Sequence, residues 1–164
     1  VLAERAEEVE LPTNSFDEIF FFHAIEHLHD PVGVMRNARD WLRADGRVRL
    51  WLPNFDSAER RMFGRAWNGL DVPRHLHHFS RDTITALLDA CGFRVERIAP
   101  QFQGASLGAS AQLALSRLGL GRKGPYRASG IVYSVAVPVG WLLSGLGNGA
   151  FIQVAARPAG MRSS

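Results

Sequence analysis

The sequence has very little cysteine and lysine. Its one cysteine, Cys91, excludes an internal disulfide and a zinc site built from paired cysteines. That residue lies in the apolar stretch LLDACGF, which is typical of a buried structural thiol. Because lysine occurs once, at Lys123, arginine carries almost all of the 19 basic charges. No run of five or six basic residues interrupts the sequence, and we therefore expect no binding to nucleic acid.

A long apolar run is also absent, whereas a membrane-spanning helix needs about 20 mostly apolar residues. The best candidate, Ile131 to Leu146, is shorter and is interrupted by Pro138 and Gly140. We favour a helix that covers the sheet. The alternative is a helix lying on a membrane surface or beside a lipid-like ligand, close to the basic residues Arg117, Arg122, Lys123 and Arg127.

The amino-terminal sequence VLAERAEEVELP contains no initiating methionine and is too charged for a secretory signal peptide. A reducing compartment fits the single cysteine. We therefore expect a cytoplasmic protein, peripheral at a membrane at most, and a chain that is a fragment of a longer one.

Apolar and charged residues make up 46% and 21% of the chain, as in ordinary globular proteins. The run FDEIFFF at Phe16 to Phe22 predicts a buried strand. Asp30 and Pro31 have the residue types of a helix N-cap and first turn, and the predicted helix ends at Ala44 to Gly46. The remaining predictions are strands at 47–53, 93–98 and 150–156, and a helix at 81–90 with Ser80 as its N-cap.

This order of strands and helices predicts an α/β sheet with helices on its faces. Ligands of such sheets bind beyond the carboxyl ends of the strands. His23 and Asn54 each follow a predicted strand directly, and both are therefore candidate site residues.

Two stretches carry a family resemblance: LPTNSFDEIFFFHAIEHLHDPVGVMRNARDWLRADGRVRLWLPN and HFSRDTITALLDACGF. Together they resemble the second half of a class I S-adenosylmethionine-dependent methyltransferase of the type 11/12 kind. The resemblance implies a Rossmann-like, doubly wound sheet and S-adenosylmethionine as cofactor. It also implies a division into a core half at 1–100, a helical hydrophobic insertion at 101–149, a last strand at 150–157 and a tail at 158–164.

One departure from the family pattern concerns glycine. The family has a GxGxG loop after its first strand and an acidic residue after its second, and both contact the cofactor. The glycine-rich stretches here lie late, in RLGLGRKG and GLGNG, and do not follow a predicted strand into a helix. We therefore expect activity to require an amino-terminal half that these residues do not contain. The alternative is a non-catalytic remnant that acts as a binding or scaffold domain.

The segment HAIEH spells HxxEH, the inverted zincin motif, but that motif requires a helix and His23 ends a predicted strand. The family resemblance instead implies cofactor contacts by Ala6, Glu7, Phe22, His23 and Ala24. Ubiquinone-type O-methyltransferases, which this stretch also resembles, hold a divalent metal at similar spacing. A metal at His23, Glu26 and His27 is thus an alternative to hydrogen bonds that only hold the loop.

The segment WNGLDVPRHLHHFS supplies the candidates for catalysis. Methyl transfer to a hydroxyl needs a base, and histidine titrates near neutral pH. His75, His77 and His78 are the candidate bases, while Asn54, Trp67 and Arg74 are the candidate substrate-binding residues. The alternative is a packed lid with His77 in the core. The predicted reaction is methyl transfer to an oxygen, less favourably to nitrogen or carbon, of a small or lipid-linked acceptor.

Overall fold

The computed structural model describes residues 4–102, 105–120 and 130–160; for residues 130–133 only the helical backbone is described. Three of the basic residues expected near a membrane surface, Arg122, Lys123 and Arg127, lie outside the described residues. So do the last four residues of the predicted tail, 161–164.

Four strands and five helices make up the described chain, with short 3₁₀ turns at Ile25–His27, Gly64–Ala66 and Asn68–Leu70. The elements in order are β1 (Phe16–Phe22), α1 (Pro31–Trp41), β2 (Leu42–Pro53), α2 (Ala58–Phe63), α3 (Arg81–Ala90), β3 (Phe93–Gln101), α4 (Ser106–Arg117), α5 (Gly130–Gly145) and β4 (Phe151–Pro158).

The first helix begins where the sequence predicts and ends earlier. The Asp30 Oδ1 atom accepts a hydrogen bond of 2.9 Å from the Gly33 N–H, and Pro31 is the first helical residue. The helix ends at Trp41, so the predicted end at 44–46 is wrong. Leu42 is buried in the core and pairs with Phe16 of β1. Because this burial stabilises the paired conformation, β2 begins at Leu42, directly after the helix.

The four strands form one sheet in the order β1-β2-β4-β3. β1 and β2 are parallel, whereas β4 is antiparallel to both of its neighbours. The carboxyl ends of β1 and β2 and the amino end of β4 therefore lie at the same end of the sheet. His23, Asn54 and Phe151 all lie at this end, which is where the sequence predicts a site.

α1 and α3 cover one face of the sheet. Their buried residues Met35 and Leu88 share a core cluster with Leu50, Leu52 and Val154 of the sheet. On the other face, the Phe20 and Phe22 side chains are 54% and 67% exposed. No strand pairs with the outer edge of β1 within the described ranges.

α5 is uncharged, and Trp141 and Leu142 on it are among its exposed apolar side chains. It contains Pro138. None of the helices in the described part of the chain has the length and hydropathy needed to cross a membrane.

A buried carboxyl group lies between α2 and α4. Glu59 is 3% exposed, and one of its carboxyl oxygens accepts a 2.7 Å hydrogen bond from the Ser106 hydroxyl. Burial raises the pKa of Glu59 to about 7, although the hydrogen bond from Ser106 opposes the shift.

This shift predicts a pH dependence of stability. The folded pKa lies above the unfolded value of 4.5, so the stabilising contribution is complete below pH 4.5 and is lost as the pH rises through about 7. Between pH 5 and pH 8 the free energy of unfolding should fall by about 2 kcal/mol on this account. Urea unfolding should show that Glu59→Gln removes this loss, whereas the exposed Glu8→Gln keeps it. Equal pH slopes in Glu59→Gln and wild type would contradict the assignment.

Candidate active site

A cavity of about 210 Å³ opens at the carboxyl ends of β1 and β2. Its wall combines three imidazoles, a carboxylate, a guanidinium and an aromatic ring. The lining residues are His23, His27, Asn68, Gly69, Asp71, Arg74, His75 and Phe151. The cavity thus joins the two histidine-containing segments that the sequence singles out.

His23 adopts an unusual backbone conformation directly after β1. Its φ is +48°, in the left-handed region that residues with a Cβ seldom occupy. Its N–H donates a 3.0 Å hydrogen bond to the Trp51 carbonyl, which continues the pairing with β2 by one residue. The ring packs edge-on against Phe151, with 5.2 Å between ring centroids. Asp71, on the same cavity wall, also has a positive φ, of 33°. Strained residues of this kind cluster at functional sites.

Glu26 lies on the short 3₁₀ turn that follows β1. Its side chain is 1% exposed, and neither carboxylate oxygen accepts a hydrogen bond from any described residue. The Nδ1 atom of His23 lies 3.4 Å from Glu26 Oε1. The backbone carbonyl of Glu26 accepts hydrogen bonds from the N–H groups of Leu76 and His77 at 2.8 and 3.2 Å. These bonds attach the turn to the histidine-rich segment.

The rings of His27 and His75 pack edge-on against each other, with 4.7 Å between their centroids. The Nδ1 atom of His27 lies 2.8 Å from the Arg74 carbonyl oxygen, and that of His75 lies 2.9 Å from the Gly69 carbonyl oxygen. A neutral imidazole that donates from Nδ1 to a carbonyl leaves Nε2 as an acceptor. Both rings are therefore oriented to offer Nε2 to a proton or a metal ion.

These side chains fit a divalent metal ion. One ligand atom each from Glu26, His27 and His75 lies within 4.8 Å of the others. The carboxylate of Glu26, whose oxygens accept no hydrogen bond from the described residues, would supply negative charge to such an ion. Imidazoles held through Nδ1 by a carbonyl are the usual arrangement of metal-bound histidine. The sequence-based alternative named His23 with Glu26 and His27, whereas this grouping contains His75 in its place. The helix that the inverted zincin motif needs is missing, because His23 lies at a strand end.

The structure separates the three candidate bases. His75 lines the cavity. His77 stacks on Phe79 at a centroid distance of 5.9 Å, and the Nε2 atom of His78 lies 2.9 Å from the Leu70 carbonyl oxygen. Neither His77 nor His78 belongs to the cavity wall.

The three candidate substrate-binding residues are also placed differently. Arg74 lines the cavity and forms an ion pair with Asp71. Trp67 is buried and lines a neighbouring cavity. Asn54 is buried, and its side chain donates a 3.1 Å hydrogen bond to the Gly149 carbonyl and accepts one of 3.2 Å from the Asp56 N–H. Asn54 thus links the end of β2 to the start of β4.

Of the candidate cofactor-binding residues, Phe22 and His23 line a small cavity of about 90 Å³ together with Trp51 and Phe102. Ala24 packs against the core, as does Ala6. Glu7 lies in a separate depression beside α1 and accepts a 3.0 Å hydrogen bond from the His29 N–H. That hydrogen bond lowers the pKa of Glu7.

Four lining residues were not predicted from the sequence. Asn68, Gly69 and Asp71 lie in the segment that the histidines mark, and the carboxylate of Asp71 was the available signal. Phe151 comes from β4, and no local pattern connects it with His23.

A family model described as a methyltransferase domain matches residues 3–98, more than half of the chain. A search of the curated proteins found no match.

Several solved structures share the fold at low sequence identity. The [4+2]-cyclase SpnF is 18% identical with a TM-score of 0.57, and the match covers 96% of this chain and 55% of that one. A SAM-dependent methyltransferase from Thermotoga maritima, described as a possible histamine N-methyltransferase, is 17% identical with a TM-score of 0.58, over 95% and 62% of the two chains. The mitomycin 7-O-methyltransferase MmcR is 17% identical with a TM-score of 0.58, over 97% and 34%.

The chain therefore spans between about a third and three fifths of the length of these relatives. Their shared architecture confirms the predicted Rossmann-like α/β class. Together, the family match and the fold confirm the predicted resemblance: the chain belongs to the methyltransferase domain family.

Proposed function

We propose that the chain is the acceptor-side half of an S-adenosylmethionine-dependent methyltransferase that methylates an oxygen of a small or lipid-linked acceptor. The observation that carries the proposal is the convergence of His23, His27 and His75 on one cavity at the strand ends of a methyltransferase fold. One of the structural relatives is an O-methyltransferase, another is described as a possible N-methyltransferase and a third is a cyclase. The fold therefore does not determine which reaction is catalysed; the side chains of the site do.

The cofactor requires a glycine-rich loop, and no GxGxG sequence follows β1 or β2 here. We assign this loop to polypeptide outside these residues. No described strand pairs with the outer edge of β1, and the aromatic rings of Phe20 and Phe22 beside it are exposed. Together they provide a surface on which such a segment can pair and pack. Phe22, His23 and Ala24, at the end of that same strand, are the residues that we assign to the cofactor side.

The reaction then needs only alignment and one proton acceptor. The acceptor oxygen attacks the methyl carbon, the carbon–sulfur bond breaks with its electron pair moving to sulfur, and a carbon–oxygen bond forms. His75 is the residue on the cavity wall that we assign as base, because its Nδ1 is engaged by the Gly69 carbonyl and its Nε2 is left to accept the hydroxyl proton. Holding donor and acceptor in line supplies much of the acceleration.

A divalent cation is the alternative means of activating the hydroxyl, as the resemblance to ubiquinone-type O-methyltransferases implies. Glu26, His27 and His75 would hold it. When bound, such a cation lowers the pKa of a hydroxyl coordinated to it. Two of the three ligand atoms are imidazole nitrogens, which suit Zn²⁺ better than Mg²⁺.

The exposed apolar side chains of α5 support the lipid-linked class of acceptor and contact with a membrane surface. Val135, Trp141 and Leu142 are exposed on a helix that carries no charge. Such a surface favours apolar ligands.

A second candidate is a non-catalytic scaffold, which the absence of a glycine-rich loop in the cofactor context favours. The buried side chain of Glu26 argues against a non-catalytic scaffold. A carboxylate buried without a hydrogen bond destabilises the fold, and a scaffold gains nothing in return.

The proposal is tested by incubating the complete translated protein that contains these residues with S-adenosylmethionine and a panel of hydroxylated, aminated and carbon-nucleophile acceptors. We expect formation of S-adenosylhomocysteine with hydroxylated acceptors. Turnover with amines alone would overturn the assignment to oxygen, and no turnover with any acceptor class would favour the scaffold.

A further inference from the structure

A second, larger cavity lies beside the candidate active site. Its volume is about 430 Å³, and it shares Asn68 and Asp71 with the wall of the first cavity. The two cavities therefore adjoin at these two residues. The full lining is Arg65, Trp67, Asn68, Leu70, Asp71, Val72, Leu113 and Arg117.

Two guanidinium groups line this second cavity. Arg65 lies on the 3₁₀ turn after α2, and Arg117 is the last residue of α4. Both side chains are exposed, and neither forms an ion pair or hydrogen bond with another residue in the described part of the chain. The one carboxylate on this wall, Asp71, is already paired with Arg74. Among the described residues, the second cavity thus has two positive charges that no carboxylate compensates.

Apart from Asn68 and Asp71, the remaining wall consists of aliphatic side chains and Trp67. Leu70, Val72 and Leu113 provide aliphatic surface. Trp67 is 1% exposed, and its indole Nε1–H has no hydrogen-bond acceptor among the described residues. A buried donor without a partner is uncommon and costs stability. A hydrogen bond from the Asn68 N–H to the Ser110 hydroxyl, at 3.0 Å, attaches this wall to α4 and fixes its shape.

We propose that the second cavity binds an acceptor that carries an anionic group, a carboxylate or a phosphate, on an apolar body. Arg65 and Arg117 bind the anion, because guanidinium groups match the planar or tetrahedral oxygens of these groups. The aliphatic wall contacts the apolar body. The inference rests on the proposed function, since it names the chemical class of the methyl acceptor.

The test is a binding titration that needs no cofactor. Calorimetry on the 164-residue chain would compare octyl phosphate, octanoate and 1-octanol as probes with the same apolar body. We expect the two anions to bind at least about tenfold more tightly than the alcohol. The double variant Arg65→Gln/Arg117→Gln should remove that advantage and leave 1-octanol binding unchanged. The relative affinities of octyl phosphate and octanoate show which anion the site prefers.

The control is Arg36→Gln/Arg94→Gln, which removes the same number of charges from exposed positions outside the second cavity. It should retain the preference for anions. Equal losses in the two double variants, or equal binding of all three probes, would overturn the inference. Because the titration involves no methyl transfer, anion binding without S-adenosylhomocysteine formation would contradict the proposed function alone. Turnover without anion binding would contradict this inference alone.

Discussion

Replacing His75 with alanine is expected to slow methyl transfer by the complete protein about 10²- to 10⁴-fold. His75 is the one of the three predicted bases that lines the cavity, and its ring is oriented by the Gly69 carbonyl. Removal of the imidazole eliminates the proton acceptor in the metal-free mechanism and one ligand in the metal-assisted one. The measurement is the initial rate of S-adenosylhomocysteine formation.

His77→Ala is the matched control, because this ring stacks on Phe79 and does not line the cavity. Its rate should stay within a few-fold of wild type once both variants are shown to be folded. A His75 variant as active as the His77 variant would contradict the assignment of His75. The pH–rate profile of His75→Ala distinguishes a base from a residue that only positions the substrate. Loss of a base removes an ionisation step from the profile, whereas loss of a positioning residue does not.

The second large effect concerns Glu26. A cation at 100 times its dissociation constant stabilises the folded state by about 2.7 kcal/mol. For a chain of this size that corresponds to a rise in Tm of about 5 to 10 °C. We expect this rise with Zn²⁺ in the wild-type chain, and we expect Glu26→Gln to abolish it. In metal-free buffer the same variant should be about as stable as wild type, because neither oxygen of the Glu26 carboxyl group accepts a hydrogen bond from a described residue.

His29→Ala is the control for the metal response. The His29 side chain is exposed and follows the same 3₁₀ turn, so its removal should leave the metal response intact. Thermal unfolding with and without the metal checks both variants. A full rise in Tm in Glu26→Gln would show that the metal binds elsewhere. No rise in the wild-type chain would contradict the metal site, and the mechanism with His75 as base and no metal would then remain.

The local signals in the sequence predict much of the fold. Asp30 and Pro31 begin α1, and Ser80 caps α3 through a reciprocal pair of hydrogen bonds with Thr83, because these residue types satisfy free backbone groups without help from the rest of the chain. The predicted end of α1 was wrong, because burial of Leu42 in the core outweighs the turn signal of Ala44 to Gly46. The antiparallel direction of β4 depends on how the chain returns after α5, which no local pattern contains.

The candidate site is predicted less completely. The sequence marks both histidine-rich segments, and the structure brings them together through hydrogen bonds to the Glu26 carbonyl. The amino-acid sequence alone does not show which of His75, His77 and His78 faces the cavity. The orientations of the His75 and His78 rings depend on the backbone carbonyl groups to which they are hydrogen-bonded. The second cavity is unpredictable for a similar reason: Arg65 and Arg117 are 52 positions apart in the sequence and meet only through the packing of α4.

The central claim is that this site operates on a methyltransferase cofactor. Calorimetric titration with S-adenosylhomocysteine, on the complete translated protein and on the 164-residue chain, tests it most directly. We expect saturable binding by a protein that contains a glycine-rich loop together with these residues, and at most weak binding by the 164 residues alone. No binding by the complete protein would contradict methyl transfer, and tight binding by the 164 residues alone would contradict the need for that loop.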